Sequence, residues 1–229
     1  MRFFLLHSSS RSMRWKPSSC HVSWPGFGSL SAGRVSWSKW IGRRTELKPH
    51  FDFFLGTLGF TPNSVLTMQR KPRLVQALAQ LNGAVMDPAG EVDLGFRRLI
   101  GHVVSQVSGC RYCQAHTLLG AHNFGVSEAK LADIWTYASS PHYSPRERLA
   151  LDFALAAARQ PNEVTDEQFA ELQQHWSDGE ITEILGVVAM FAFLNRWNDT
   201  MATPLEAPAA AVAQRALGDQ GWTAGKHAP

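Results

Sequence analysis

The chain has 229 residues, of which 45% are hydrophobic and 18% are charged, as is typical of a soluble globular protein with one buried core. Its three cysteines are too few for a disulfide-rich secreted scaffold. Eight of the 22 basic residues precede the first acidic residue, Glu46, so the other 14 face 19 acidic residues, a net charge of −5. This imbalance excludes the broad basic surface of a nucleic-acid-binding protein, and we expect a cytoplasmic protein that binds no membrane.

The first 36 residues are rich in Ser, Arg and Gly and show no helical hydrophobic period. A composition rich in Arg and Ser and poor in acidic residues is typical of a mitochondrial transit peptide, but Trp15, Trp24 and two proline-containing turns interrupt an amphipathic helix. The apolar stretch 3–6 is too short for a secretory signal. We therefore interpret residues 1–36 as a disordered basic extension, with a transit peptide and a misplaced gene start as open alternatives, and assign no role to Cys20.

From Trp37 onward, hydrophobic residues recur every three or four positions, which predicts a series of amphipathic helices. Capping residues, prolines and glycines divide this region into predicted helices at 47–58, 61–68, 72–85, 93–107, 110–124, 127–137, 145–158, 165–175 and 180–201. No strand pattern and no glycine-rich phosphate loop is present in the sequence, so the predicted fold class is all-α. The last of these helices is apolar on nearly every side, which places it in the core or at an oligomer contact. Residues 207–229, rich in Ala, Gly and Pro, are expected to form a flexible tail.

A short motif at the start of one predicted helix carries the chemically reactive residues. Cys110 and Cys113 stand three apart, and His116 follows three residues later. Residues three apart in a helix lie about 60° apart around its axis, so His116 and Cys113 are neighbours able to exchange a proton. Free N–H groups at a helix start favour a thiolate, and a second thiol one turn away permits a disulfide. The spacing therefore favours thiol redox chemistry.

Other uses of the two cysteines fit the sequence less well. A structural zinc site usually requires four Cys or His ligands in two pairs, and the sequence has no second pair. Attachment of a c-type haem requires a histidine directly after the second cysteine, where Gln114 stands. A pair of inert buried cysteines remains an open alternative. We therefore expect neither a metal nor a bound cofactor.

The residues around this motif resemble a known family. The stretch 109–116 (GCRYCQAH), preceded by an apolar helix and followed by Gly125-Val126, resembles the alkylhydroperoxidase D-like branch of the carboxymuconolactone decarboxylase superfamily. The stretches 59–64 and 195–199 look like peroxidase-related members of that branch. The resemblance covers about residues 47–206 and implies a helical bundle, which we assign to residues 37–206, that assembles into trimers or hexamers. It also implies hydroperoxide reduction by a cycling cysteine pair, which an external dithiol such as a lipoyl protein returns to the reduced form.

The resemblance also implies roles for individual residues. Cys113 matches the peroxidatic cysteine and Cys110 the resolving one, although the helix-start argument alone makes Cys110 the more acidic thiol. His116 matches one of the two places where the family carries a relay histidine; the other place is Thr117. The glutamate that starts the proton relay in the best-studied branch is replaced here by Arg98.

Three residues are candidates to replace the missing relay glutamate. His102 lies on the preceding helix, where a structural role is the alternative. Asp199 lies near the end of the last long helix, where a capping network is the alternative. Arg98 itself would lower a thiol pKa or orient an anionic substrate, if it reaches the site.

The leading hypothesis is a thiol-dependent peroxidase or disulfide reductase. Two alternatives remain open. One is a redox-sensing or structural protein whose disulfide forms without turnover. The other is a lactone decarboxylase-type enzyme, against which the cysteine pair argues, because by the resemblance such members lack it.

Overall fold

The computed structural model of the protein describes residues 45–228, which form ten α-helices and no β-strand. The helices are α1 (Lys48–Leu58), α2 (Asn63–Met68), α3 (Pro72–Val85), α4 (Leu94–Val107), α5 (Arg111–Asn123), α6 (Glu128–Ala132), α7 (Pro145–Ala158), α8 (Asp166–Gln173), α9 (Asp178–Met201) and α10 (Ala207–Leu217). The predicted all-α class is confirmed. The first nine helices match the predicted series to within two residues, except that α6 ends at Ala132 and continues as a 3-10 helix over Asp133–Thr136, five residues short of the predicted α-helical end.

Short-range signals set most helix ends. The Ser127 hydroxyl accepts a hydrogen bond from the Lys130 N–H at the start of α6, as predicted. Gly59 ends α1 in the left-handed conformation, with φ of 82°. At the start of α9, the sequence indicated Asp178 as the cap, but Ser177 caps the helix in a capping box with Glu180. The prediction was off by one residue because both types are good caps.

The core is built around α4, α5 and α9. Helix α4 packs along α5 and α9, while α10 lies against α5. The close approach of α4 and α9 depends on Gly101, because a Cβ there would lie 2.5 Å from the ring of Phe191. Helix α9 also contacts α3, α7 and α8, which confirms its predicted central position. A second hydrophobic cluster on α1, α2 and α3 covers one side of this core.

The segment after residue 206 is ordered, and the predicted flexible tail is wrong. Helix α10 buries Ala209, Val212, Ala213, Ala216 and Leu217 on one face. These positions follow the i, i+3, i+4, i+7, i+8 pattern of an amphipathic helix. Beyond the helix, Trp222 and His227 are also buried. The alanines on this face pack closely against α5. The sequence had suggested a loose structure because these residues are small.

The predicted basic extension 1–36 and Cys20 lie outside the described residues. Among the helices within 45–228, none combines the length and apolar character needed to cross a membrane.

Candidate active site

The two cysteines lie where the chain turns from α4 into α5. Gly109 makes this turn in the left-handed conformation, with φ of 71°. Cys110 is the N-terminal cap residue of α5, and Cys113 lies in its first turn. Both thiols are free and almost fully buried, with exposures of 0% and 2%. Cys110 therefore precedes the helix by one residue, where the sequence had predicted it inside the first turn.

Cys110 is enclosed by the C-terminal segment. A hydrogen bond from Cys113 and the nearby His227 imidazole lower the pKa of Cys110 to about 5, against the opposing effect of burial. The Nδ1 of His227 donates a 2.8 Å hydrogen bond to the Thr203 carbonyl. Its Nε2 lies 3.6 Å from a carboxylate oxygen of Asp199. Burial alone would lower the pKa of His227, but its contacts with Cys110, Thr203 and Asp199 raise it. These contacts favour the thiolate form at Cys110 over Cys113.

Cys113 faces a small cavity of about 50 Å³, whose walls do not include Cys110. The Asn198 amide donates a 3.5 Å hydrogen bond to the Cys113 sulfur. Burial and the hydrogen bond to Cys110 raise the pKa of Cys113 well above the ordinary cysteine value. Accessibility and acidity are therefore divided between the two sulfurs.

His116 lines the same cavity and is paired with a carboxylate from the far end of the chain. Its Nε2 lies 2.6 Å from an oxygen of Glu206. The other oxygen of Glu206 accepts a 2.9 Å hydrogen bond from the Tyr112 hydroxyl, and the Tyr112 and His116 rings stack with centroids 4.3 Å apart. Burial alone would raise the pKa of Glu206, but the charge and hydrogen bond of His116 hold it below the usual glutamate value.

The turn after α9 places Glu206 in this position. Ala202 ends α9 in the left-handed conformation, with φ of 48°. The side-chain amide of Asn63, at the start of α2, donates a 3.0 Å hydrogen bond to the Pro204 carbonyl, and its backbone N–H bonds to Glu206. A carboxylate thus reaches His116 from position 206, whereas position 98 holds an arginine.

Arg98 reaches the cavity and brings a positive charge where the family resemblance implies a glutamate. Its side chain lines the cavity that contains Cys113 and is 6% exposed. Burial lowers the pKa of Arg98 to about 10, so the guanidinium remains charged at neutral pH. Its side chain lies across α5 at Gly120, where a Cβ would come within 2.8 Å of the Arg98 Cδ.

His102 and Asp199 are placed apart from the cavity. The Nε2 of His102 accepts a 3.2 Å hydrogen bond from the Trp135 indole, and its Nδ1 lies 3.2 Å from both the Gln114 carbonyl and the Thr117 hydroxyl. None of these partners lines the cavity, and burial lowers the pKa of His102 to about 4. His102 is therefore a neutral core residue. Asp199 lies beside His227 and Lys226, on the Cys110 side.

One group of potential metal ligands occurs among the described residues. The Cys110 sulfur, a ring nitrogen of His227 and a carboxylate oxygen of Asp199 lie within 4.8 Å of one another. Lys226 donates a 2.7 Å hydrogen bond to the same carboxylate, which supplies a positive charge where a cation would have to bind. The arrangement fits a thiolate–imidazolium pair better than a metal centre.

Sequence reasoning missed Tyr112, Glu206 and His227. Tyr112 belongs to the quoted motif, and its position four residues before His116 is a local signal for a helical pair. Glu206 and His227 are 90 and 111 positions from His116, and only the fold brings them to the site. The periodic apolar face of α10 was the available signal that the C-terminal segment packs on the core.

The chain is similar to several known proteins. Residues 72–156 match the model of the carboxymuconolactone decarboxylase family. The chain is 26% identical over 137 residues to the uncharacterized protein YnjA of Escherichia coli (strain K12). The match covers 60% of this chain and 75% of YnjA.

Solved structures extend the similarity. A cysteine-to-alanine variant of the debrominase Bmp8, in complex with 2,3,4-tribromopyrrole, is 31% identical with a TM-score of 0.70, covering 74% of this chain and 90% of Bmp8. The alkylhydroperoxidase core of an uncharacterized peroxidase-related protein from Ralstonia eutropha JMP134 shares the fold at 22% identity, with a TM-score of 0.66, covering 78% and 93% of the two chains.

Proposed function

Because the chain belongs to the alkylhydroperoxidase D-like branch of the carboxymuconolactone decarboxylase superfamily, we propose that it is a thiol-dependent peroxidase that reduces hydroperoxides with Cys110 and Cys113. Members of this family include peroxidase-related and decarboxylase-type enzymes. The contents of the cavity support this proposal. The cavity brings a thiol, a carboxylate-paired histidine and a buried cation together, while an acidic partner thiol lies directly behind the first.

In the first half of the proposed reaction, Cys113 attacks the peroxide. Cys113 passes its proton to the Cys110 thiolate, and the resulting Cys113 thiolate attacks the terminal peroxide oxygen. The O–O bond breaks, leaving a sulfenic acid on Cys113. A protonated His116, held by Glu206, gives its proton to the departing alkoxide, which leaves as an alcohol.

In the second half, the cysteine pair closes. Cys110 attacks the Cys113 sulfur and forms the disulfide. The proton that Cys110 received from Cys113 goes to the displaced hydroxide, which leaves as water, while His227 keeps its own proton. An external dithiol then reduces the disulfide by thiol–disulfide exchange, becoming oxidised itself. Two thiols and one hydroperoxide therefore give one disulfide, one alcohol and one water.

Similarity to Bmp8 favours a second candidate, reductive dehalogenation. At 31% identity over 90% of its chain, this debrominase is closer in sequence than the peroxidase-related structures at 22–23%. In such a reaction the Cys113 thiolate would attack the halogen of a halogenated ring, and His116 would protonate the ring carbon. Cys110 would then displace halide from the Cys113 sulfur, giving the same disulfide.

Peroxide and halide measurements with several dithiols test both proposals. We expect wild type to consume hydroperoxide continuously with a dithiol such as dihydrolipoamide. Cys110→Ser and Cys113→Ser should not turn over, and Cys20→Ser should match wild type. Disulfide formation without turnover would indicate a redox sensor. Halide release from brominated pyrroles without peroxide consumption would favour dehalogenation, and lactone turnover that survives loss of both cysteines would indicate a decarboxylase-type enzyme.

The partners and location remain predictions of the sequence. These are re-reduction by a lipoyl-type dithiol, assembly into a homo-oligomer of three or six copies, and a cytoplasmic location. Size measurement by light scattering tests the oligomer directly.

A further inference from the structure

Two neighbouring arginines are both buried, but only one has partners. The Arg97 guanidinium bonds to the carbonyls of Val85 and Asp87 and lies 2.8 Å from a carboxylate oxygen of Glu183. The Arg98 guanidinium forms no hydrogen bond and no ion pair with any residue in 45–228, and its buried Nε lacks a partner. The guanidinium carbon of Arg98 lies 5.9 Å from the ring centroid of Phe124. An unpaired buried cation is costly, so this position calls for an anion.

Arg98 lies where two cavities meet. It lines the small cavity that contains Cys113 and also a larger cavity of about 680 Å³. The larger cavity lies beside α1, α3 and the end of α5, and its walls are mainly apolar: Phe53, Leu58, Met86, Leu94, Leu119 and Phe124. Its volume suits an organic molecule of moderate size. Thr57, Leu58 and Asn82 also border both cavities, so they form one continuous wall.

The size of the small cavity limits what Arg98 and Cys113 bind together. A volume of about 50 Å³ holds only a few atoms between the two side chains. The oxygen that Cys113 attacks and the group that Arg98 neutralises must therefore be joined by very few bonds. In a peroxide, the oxygen adjacent to the attacked one becomes negative as the O–O bond breaks. Arg98 is positioned to stabilise that charge.

We propose that the preferred substrates are peroxycarboxylic acids with an apolar acyl chain, an inference that rests on the proposed peroxidase function. The Cys113 thiolate attacks the outer peroxy oxygen, which keeps its hydrogen and forms the sulfenic acid. The O–O bond breaks, and the acyl group leaves as a carboxylate paired with Arg98. This step needs no proton from His116, because the leaving group is released as a stable anion. The acyl chain occupies the larger cavity.

Substrate comparison on three variants tests the assignment. The rate of disulfide formation is measured in reduced enzyme, without added dithiol, using peroxyoctanoic acid and cumene hydroperoxide. Arg98→Met should slow the reaction with the peracid by about 10²–10³-fold and the reaction with the alkyl hydroperoxide much less. His116→Gln should show the opposite preference, because only the alkoxide requires its proton. Arg111→Met, which removes a nearby cation that lines neither cavity, is the matched control.

Binding of the product anion provides a readout independent of turnover. Calorimetry with octanoate and octanol should show that wild type prefers the anion and that Arg98→Met loses this preference. Gly120→Ala keeps the guanidinium but occupies the space beside its Cδ, so it should also weaken octanoate binding. Equal octanoate affinity in wild type and Arg98→Met would overturn the inference even if peroxides are reduced. Arg98-dependent octanoate binding without peroxide reduction would support the anion site and contradict the proposed function.

Discussion

Cys113 and Cys110 stand three residues apart, yet their surroundings differ in both access and charge. Cys113 lines a cavity with His116 and Arg98, and burial raises its pKa. Cys110 is sealed beneath the C-terminal segment, where Cys113 and His227 lower its pKa to about 5. The more acidic sulfur, Cys110, is therefore not the accessible one, Cys113. In the proposed reaction, a proton shared between the two sulfurs lets Cys113, the accessible one, use the acidity of Cys110.

Each sulfur also has its own histidine and carboxylate. His116 and Glu206 serve the cavity side, while His227 and Asp199 serve the sealed side. Glu206, His227 and Asp199 all come from the last 31 residues of the chain. Loss of the His116–Glu206 pair should therefore slow the attack on the peroxide, whereas loss of the His227–Asp199 pair should change the acidity of Cys110.

Disabling the cavity side should give the largest effect on rate. In the proposed reaction His116 protonates the leaving alkoxide, so His116→Gln should slow sulfenic acid formation with cumene hydroperoxide by about 10²–10⁴-fold. Stopped-flow measurement of the first step checks this. The matched control is His122→Gln, at the exposed end of α5. A normal first step combined with slow disulfide closure would contradict the prediction, because it would show that His116 acts in the second step.

His102, which belongs to neither side, should affect the stability of the protein and not its activity. The pKa of His102 is lowered from 6.5 to about 4 because burial disfavours its charged form. The contribution of His102 to the free energy of unfolding is fully present above pH 6.5. It is lost as the pH falls toward 4, by about 3 kcal/mol in total. Urea unfolding of wild type and His102→Gln across this range measures it. A parallel pH dependence in both proteins would contradict the assignment.

The sealed side should control thiol acidity. His227→Gln removes the positive partner of the Cys110 thiolate, so the lowest thiol pKa should rise from about 5 by about 1–3. Ultraviolet absorbance of the thiolate against pH measures this change. In wild type, thiolate should persist at neutral pH and disappear as the pH falls through about 5. An unchanged titration in His227→Gln, with His142→Gln as the control, would remove His227 from the site.

The smallest effect concerns the turn that delivers Glu206. Ala202 has a left-handed conformation that costs about 1 kcal/mol for a residue with a Cβ. Ala202→Gly should stabilise the protein by up to about 1 kcal/mol and leave the first chemical step unchanged. Thermal unfolding and stopped-flow kinetics check the two halves of this prediction. Destabilisation would mean that the methyl group packs usefully in the folded protein.

The sequence contained the local parts of this arrangement but not the distant ones. The helix start at Cys110, the caps and the spacing of Cys113 and His116 are short-range features that depend on adjacent residues. The partnership of His116 with Glu206 depends on packing across 90 positions. The role of His227 was hidden because an alanine-rich segment was interpreted as flexible. Arg98 was recognised as a departure from the family, but its lack of a partner became visible only in three dimensions.

The central claim is that Cys113 performs the first chemical step although Cys110 is the more acidic thiol. The most direct test adds one equivalent of cumene hydroperoxide to Cys110→Ser and Cys113→Ser and traps sulfenic acid with dimedone. Mass spectrometry of the peptide containing both positions then locates the adduct. We expect an adduct on Cys113 in Cys110→Ser and none in Cys113→Ser. An adduct on Cys110 in Cys113→Ser, with none on Cys113 in Cys110→Ser, would contradict the account.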